Sequence, residues 1–249
     1  MNRRTFLFSA TSALLASTRN GASQQPGQTL EVLIADLQRD MTSKRAQGSP
    51  VSATWISEKL KAGLTDRDRR IAAFGIVRDV PYKLTAWSGD PNSLFQLDRG
   101  DCRHKSAALI KLMRACGSEA RPIQVPFDWA DLPIPKSVLG FLAETRGFHD
   151  TVEVKVDGSW ILVDPTWDPA LAKAGFPVLA NWNGVDATLP ITSRATTIIR
   201  QGDFKPGTDL YAHFGIKRPE RSRTLAFNRA FNAWTDTLRA PDKAPSNGN

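Results

Sequence analysis

The chain has 249 residues, 41% of them hydrophobic and 23% charged, with a formal net charge of +8 at pH 7. That balance excludes an intrinsically disordered chain and one built mainly of membrane spans, and the length allows a sizeable core. The basic residues are dispersed apart from a local concentration at Lys217–Arg223, which a solvated loop explains, so no specific nucleic-acid surface is expected.

Residues 1–22 carry no acidic side chain, open with Arg3-Arg4-Thr5-Phe6-Leu7 and continue through a short apolar run to small residues. This is the form of an export signal, and the paired arginines look like the twin-arginine type. The run is too short for a transmembrane span, so the expected product is an exported, periplasmic protein without a transmembrane anchor after signal removal. After a polar linker at Ser23–Gln28, the apolar spacing predicts helices over Thr29–Met41, over Ser52–Ala62, and from a Thr65 cap up to Pro81. Tyr82–Leu97 is rich in turn residues.

Gly100–Gly117 reads as a helix with both ends marked, Asp101 as its N-cap and Gly117 where a left-handed residue ends it. Cys102 then sits in the first turn, where free N–H groups and the positive end of the helix dipole favour a thiolate. Stepping from it by threes and fours meets Ser106, Leu109, Met113 and Cys116, so the thiol is in line with the buried stripe. A Cys102–Cys116 disulfide is excluded by length, since fourteen helical residues span about 21 Å against a limit of about 7 Å for bridged Cα atoms. Two free thiols are expected, with Cys116 as core filler.

Ala120–Val125 reads as a strand, and Pro126–Gly147 as an insertion bordering the thiol's cleft, with a short helix over 136–145. Phe148–Val156, Asp157-Gly158 and Ser159–Val163 then form a hairpin signal with a two-residue turn. That register faces Val156 to Ser159, Val154 to Ile161 and Val152 to Val163, and makes His149 and Asp164 diagonal neighbours within hydrogen-bonding reach. A carboxylate so placed holds one imidazole nitrogen and leaves the other free. Beyond Pro165–Pro169 the chain is loop-rich, with a strand over Thr196–Arg200, a terminal helix over Pro219–Arg239 and a disordered tail. His104, two residues from Cys102, points to another helix face, and His213 reads as a packed or surface histidine.

The blocks Gly100-Asp-Cys102 with Ala107, Leu109, Leu112 and Arg114-Ala-Cys-Gly117, then Ala120-Arg121, Phe148-His149 with Val152-Glu-Val154, and Asp157-Gly158-Ser-Trp160-Ile-Leu-Val-Asp164-Pro-Thr166, resemble the transglutaminase-like superfamily, relatives of the papain-type thiol enzymes. The resemblance covers about Asp79–Asp168 and departs from the family's usual Ala-Trp after the histidine, where this chain has Asp150-Thr151. It implies an α+β fold in which an antiparallel sheet packs against a central helix with the cysteine at its N-terminus. It also implies Cys102 as nucleophile, His149 as base and then acid, and Asp164 as the orienting group. The expected activity is attack on amide bonds of a protein or peptide substrate through a thioester, by hydrolysis as a bacterial peptidase or amidase, with glutamine transamidation or a non-catalytic scaffold as alternatives.

Oxyanion donors are the Cys102 backbone N–H and one side chain from Gln96, Tyr82 and Trp87, with Gln96 preferred. Trp129, Trp160 and Trp167 are the candidate substrate-contacting aromatics. Cys102, His149 and Asp164 could hold zinc, but no short ligand spacing supports a metal, and no cofactor is implied. The expected organisation is an export signal at 1–22, an N-terminal helical extension at 23–55, the catalytic core at 56–185, a C-terminal extension with its helix at 186–240, and a tail at 241–249. Oligomeric state is left open.

Overall fold

Punctuation by Gly and Pro divides the chain into helices and strands that a computed structural model describes for residues 26–61 and 63–240. In order these are α1 (Pro26–Ala46), α2 (Ala53–Lys61), α3 (Asp66–Asp79), α4 (Ser93–Leu97), α5 (Cys102–Ala115), β1 (Ala120–Asp128), α6 (Lys136–Leu139), β2 (Arg146–Val156), β3 (Ser159–Val163), β4 (Ile199–Arg200), α7 (Leu210–His213) and α8 (Arg221–Arg239). Short 3₁₀ segments occupy Trp129–Asp131 and Pro169–Ala174. The expected export signal and C-terminal tail lie outside the described residues. No described helix is long and apolar enough to cross a membrane.

Local chemistry explains where the elements stop. In α3 the Thr65 hydroxyl caps the Asp68 N–H at 3.1 Å, and Pro81 follows just beyond the end. α1 is longer than its apolar spacing predicts: Pro26 is tolerated in a first turn, Lys44 and Arg45 suit a last one, and Gly48 at φ +70° ends the run. The helix expected over 136–145 stops at Leu139, and the strand expected over Thr196–Arg200 shortens to two residues. The missed helices α4 and α7 are only five and four residues long, below the length at which periodicity is legible.

All strand pairs are antiparallel, in the spatial order β3-β2-β1-β4. The hairpin register is the one the two-residue turn dictates, with Val156, Val154 and Val152 opposite Ser159, Ile161 and Val163. Asp157 and Gly158 both have positive φ, +48° and +83°, as the turn that matches strand twist requires. The valines pack on Leu109, Leu112 and Met113 of α5, which α2 and α3 cover from the other side. Each fully buried aliphatic side chain there contributes about 1.5–3 kcal/mol. Cys116 belongs to this cluster, and both cysteines are free. The fold is therefore α+β and papain-like, with the cysteine helix central. A second cluster joins Tyr82, Trp167 and Phe176 to Phe227 and Phe231 of α8, so the C-terminal helix closes one side of the molecule.

Candidate active site

Cys102 opens α5, and its position is set by what precedes it. Gly100 forms a strand-like bridge with Tyr82, Lys83 N–H donating to the Gly100 carbonyl at 2.9 Å. A Cβ at Gly100 would lie 2.5 Å from the His104 Cβ and 2.8 Å from a Leu94 methyl, so only glycine leaves room for these two side chains. Asp101 caps the helix by accepting from Arg103 N–H at 3.1 Å, and its Oδ1 also meets His104 Nδ1 at 2.8 Å. Burial would raise the Asp101 carboxyl, but His104 and the Arg103 guanidinium outweigh it and hold it below its ordinary value. His104 is fully buried, with Nε2 at 3.1 Å from the Ala86 carbonyl and its ring against Trp87. Both residues thus brace the helix start.

β2 and the end of β3 bring His149 and Asp164 together, Asp164 Oδ2 accepting from His149 Nε2 at 2.7 Å. The other ring nitrogen is free of these contacts, and the nearby Cys102 sulfur favours a charge on the imidazole. Burial opposes a charge on His149, but the Asp164 carboxylate and the Cys102 sulfur overcome it and raise the imidazole to about 10. Burial likewise works against the Asp164 charge, and His149 and Thr166 reverse it, so this carboxyl lies below its usual range. Geometry and electrostatics together favour a protonated imidazole beside the Asp164 carboxylate at neutral pH.

Asp164 is itself held on three sides. Its N–H donates to Thr188 Oγ1 at 2.7 Å, and its Oδ1 accepts from Thr166 N–H at 3.0 Å. Behind the loop, fully buried Lys105 of α5 donates from Nζ to the Pro165 carbonyl at 3.4 Å and to the Arg78 carbonyl at 2.8 Å. Burial lowers this lysine to about 7 in spite of the Asp168 and Asp79 charges. Sequence reasoning missed Lys105 and Thr188. The only available sign was a lysine placed one turn from Cys102, toward a buried stripe.

Cys102 and His149 line a cleft of about 460 Å³. Its aromatic wall is Phe127, Trp129 and Phe227, with Trp129 packed edge-on to Phe127, Phe227 and Phe231. Of the expected contact residues, Trp129 therefore faces the cleft and two others do not. Trp160 lies along the hairpin under the Arg121 guanidinium, 4.0 Å from its ring centroid, because its strand position turns it toward β1 and Lys155. Trp167 is buried behind Tyr82, its Nε1 donating to the Ile191 carbonyl at 3.2 Å.

Gln96, the preferred oxyanion side chain, turns away and donates to the Val51 carbonyl at 3.0 Å, because α4 directs it toward the α1–α2 connection. Trp87 packs on His104 rather than lining the cleft. Tyr82 is the remaining one of the three, and it does line the cleft. Burial, reinforced by Cys102 and Asp101, pushes its phenol well above 10, so it stays a hydrogen-bond donor. His213 is exposed, its ring edge-on to Phe204. Among the described residues, no group of three or more His, Cys, Asp or Glu side chains is arranged to hold a metal ion.

The family model of the transglutaminase-like superfamily matches residues 56–165, a span that contains Cys102, His149 and Asp164. No curated protein matches the chain. A solved structure of a candidate cysteine protease from Cytophaga hutchinsonii is 18% identical over 45% of this chain, with a TM-score of 0.35. The match spans 36% of that protein's length, about a third.

Proposed function

We propose, from the match of residues 56–165 to the family model of the transglutaminase-like superfamily, that the protein is an exported thiol enzyme that opens amide bonds of proteins or peptides. The observation that carries this reading is the placement of the imidazole: His149 is held at Nε2 by Asp164 and lines one cleft with Cys102, whose sulfur favours the charged ring. The Cys102 sulfur attacks the amide carbonyl carbon, and the oxyanion meets the Cys102 N–H and the Tyr82 hydroxyl. His149 gives its proton to the departing amine as the C–N bond breaks, leaving a thioester. A water molecule then attacks, His149 takes its proton, the carboxylic acid leaves and the thiol is regenerated.

Water is favoured as acceptor because Cys102 is partly exposed at the cleft floor. An amine arriving at the same thioester would give transamidation instead. Export and a periplasmic site of action rest on the sequence of residues 1–22.

The test is the pH dependence of Cys102 alkylation by iodoacetamide in the unaltered protein, His149→Ala and Asp164→Asn, all in a Cys116→Ser background. Rapid alkylation persisting well below the ordinary thiol pKa of about 8.5, and lost in His149→Ala, is the expected result. An ordinary thiol profile that His149→Ala leaves unchanged would overturn the proposal and favour a non-catalytic module.

A further inference from the structure

The cleft continues past the histidine. A second cavity of about 440 Å³ abuts it, and Gln124, Asp150, Thr208 and Leu210 line both. Asp150 follows His149 on β2 and lies opposite Gln124 of β1, whose Nε2 donates to Asp150 Oδ1 at 2.9 Å. The junction between the two cavities is therefore a carboxylate held in a fixed orientation beside the general base.

The charges of the cleft are matched except at this point. Arg103 is paired with Asp101, Arg146 with Glu144 at 2.8 Å, and Arg218 with Asp209 at 3.0 Å. Asp150 is the cleft carboxylate whose partner, among the described residues, is a neutral amide, and its Oδ2 is not engaged there. In the second cavity Arg200 is held by both oxygens of Glu153, and Lys205 stands at the exposed rim. Neither neutralises Asp150 by a direct contact. A half-buried carboxylate without a counter-charge gains most from a cation brought by the substrate, and it repels an acid.

From this we propose that Asp150 selects substrates with a cationic side chain close to the scissile amide, the peptide running from Cys102 past the Gln124–Asp150 pair into the second cavity. Asp150 acts as a specificity residue for the proposed thiol reaction, and the inference rests on that reading.

The experiment labels the full-length protein with tripeptide chloromethyl ketones that differ only in carrying Lys, norleucine or Glu at one position, each position tried in turn. Cys102 sulfur displaces chloride to form a thioether, located by mass spectrometry, and each rate is divided by the same variant's iodoacetamide rate. At one position Lys should label about tenfold faster than norleucine, the worth of one partly buried ion pair, with Glu slowest. Asp150→Asn should bring Lys down to the norleucine rate, and Asp150→Lys should reverse the order in favour of Glu. A Lys-to-norleucine ratio identical in the unaltered protein and in Asp150→Asn at every position overturns the inference while leaving the thiol reading intact. A Cys102 that is inert to iodoacetamide in the folded protein removes both.

Discussion

Lys105 and His149 titrate abnormally in opposite senses, and their effects on stability should nearly cancel around neutral pH. Lys105 falls from 10.5 to about 7 in the fold, so between pH 7 and 9 the unfolded chain keeps a proton that the folded chain releases. The unfolded state binds more protons there, and stability rises with pH by up to about 1.4 kcal/mol per unit. His149 rises from 6.5 to about 10, so the folded chain keeps a proton that the unfolded chain has lost above 6.5. Its contribution is fully present below pH 6.5 and is lost as pH rises toward 10, at a similar rate and opposite sign. Over two pH units each effect amounts to about 2–3 kcal/mol.

Urea denaturation followed by tryptophan fluorescence at pH 7, 8 and 9 separates them. Relative to the unaltered protein, Lys105→Met should lose about 2–3 kcal/mol across this window, and His149→Gln should gain as much. The double variant should again run parallel to the unaltered protein. Using differences removes other titrations, such as that of Cys116, which burial raises in all the proteins alike. A Lys105→Met profile parallel to that of the unaltered protein would refute the reasoning, because the buried ammonium would then be keeping its proton at neutral pH.

Replacing Thr188 by Val removes the acceptor of the Asp164 N–H. It should cost about 1–2 kcal/mol in urea titrations and slow Cys102 alkylation through looser positioning of Asp164. Gly100→Ala puts a methyl against His104 and Leu94, and the overpacking should cost about 1–3 kcal/mol together with a slower alkylation, since the start of α5 must shift. Asp168 is almost fully buried, its Oδ2 accepting from Arg239 Nη2 at 2.6 Å and from Tyr82 N–H at 2.8 Å, which ties the end of α8 to the cleft. Arg239→Met leaves that carboxylate without its cation and should lower stability by about 3 kcal/mol by thermal or urea melts, with Asp168→Asn partly offsetting it in the double variant.

The hairpin was legible because Asp157-Gly158 sets its turn, and a two-residue turn leaves one register that buries Val152, Val154 and Val163 together. The start of α5 was legible for a similar reason, since Asp101 and Gly117 mark its ends within four residues of the groups they serve. The approach of His149 to Asp164 followed from the hairpin register alone. By contrast, Gln96, Trp160 and Trp167 read equally well as site residues or scaffold, because the direction of a side chain in a loop or at a sheet edge depends on what packs against it. Gln96 was captured by a carbonyl of the α1–α2 connection, and Trp160 by Arg121 of β1, reaching across β2.

The sequence by itself thus determined the local elements and the chemistry attached to them: a capped helix with a thiol in its first turn, a hairpin in fixed register, and a histidine and aspartate on its adjacent strands. These depend on contacts between residues a few positions apart, where backbone geometry leaves few alternatives. Only the tertiary structure decided what surrounds them. It put Lys105 behind the Asp164 loop, closed the cleft with α8 some eighty residues further on, and left Asp150 uncompensated where two cavities meet. Such long-range partners depend on how separate elements pack, which no local spacing records.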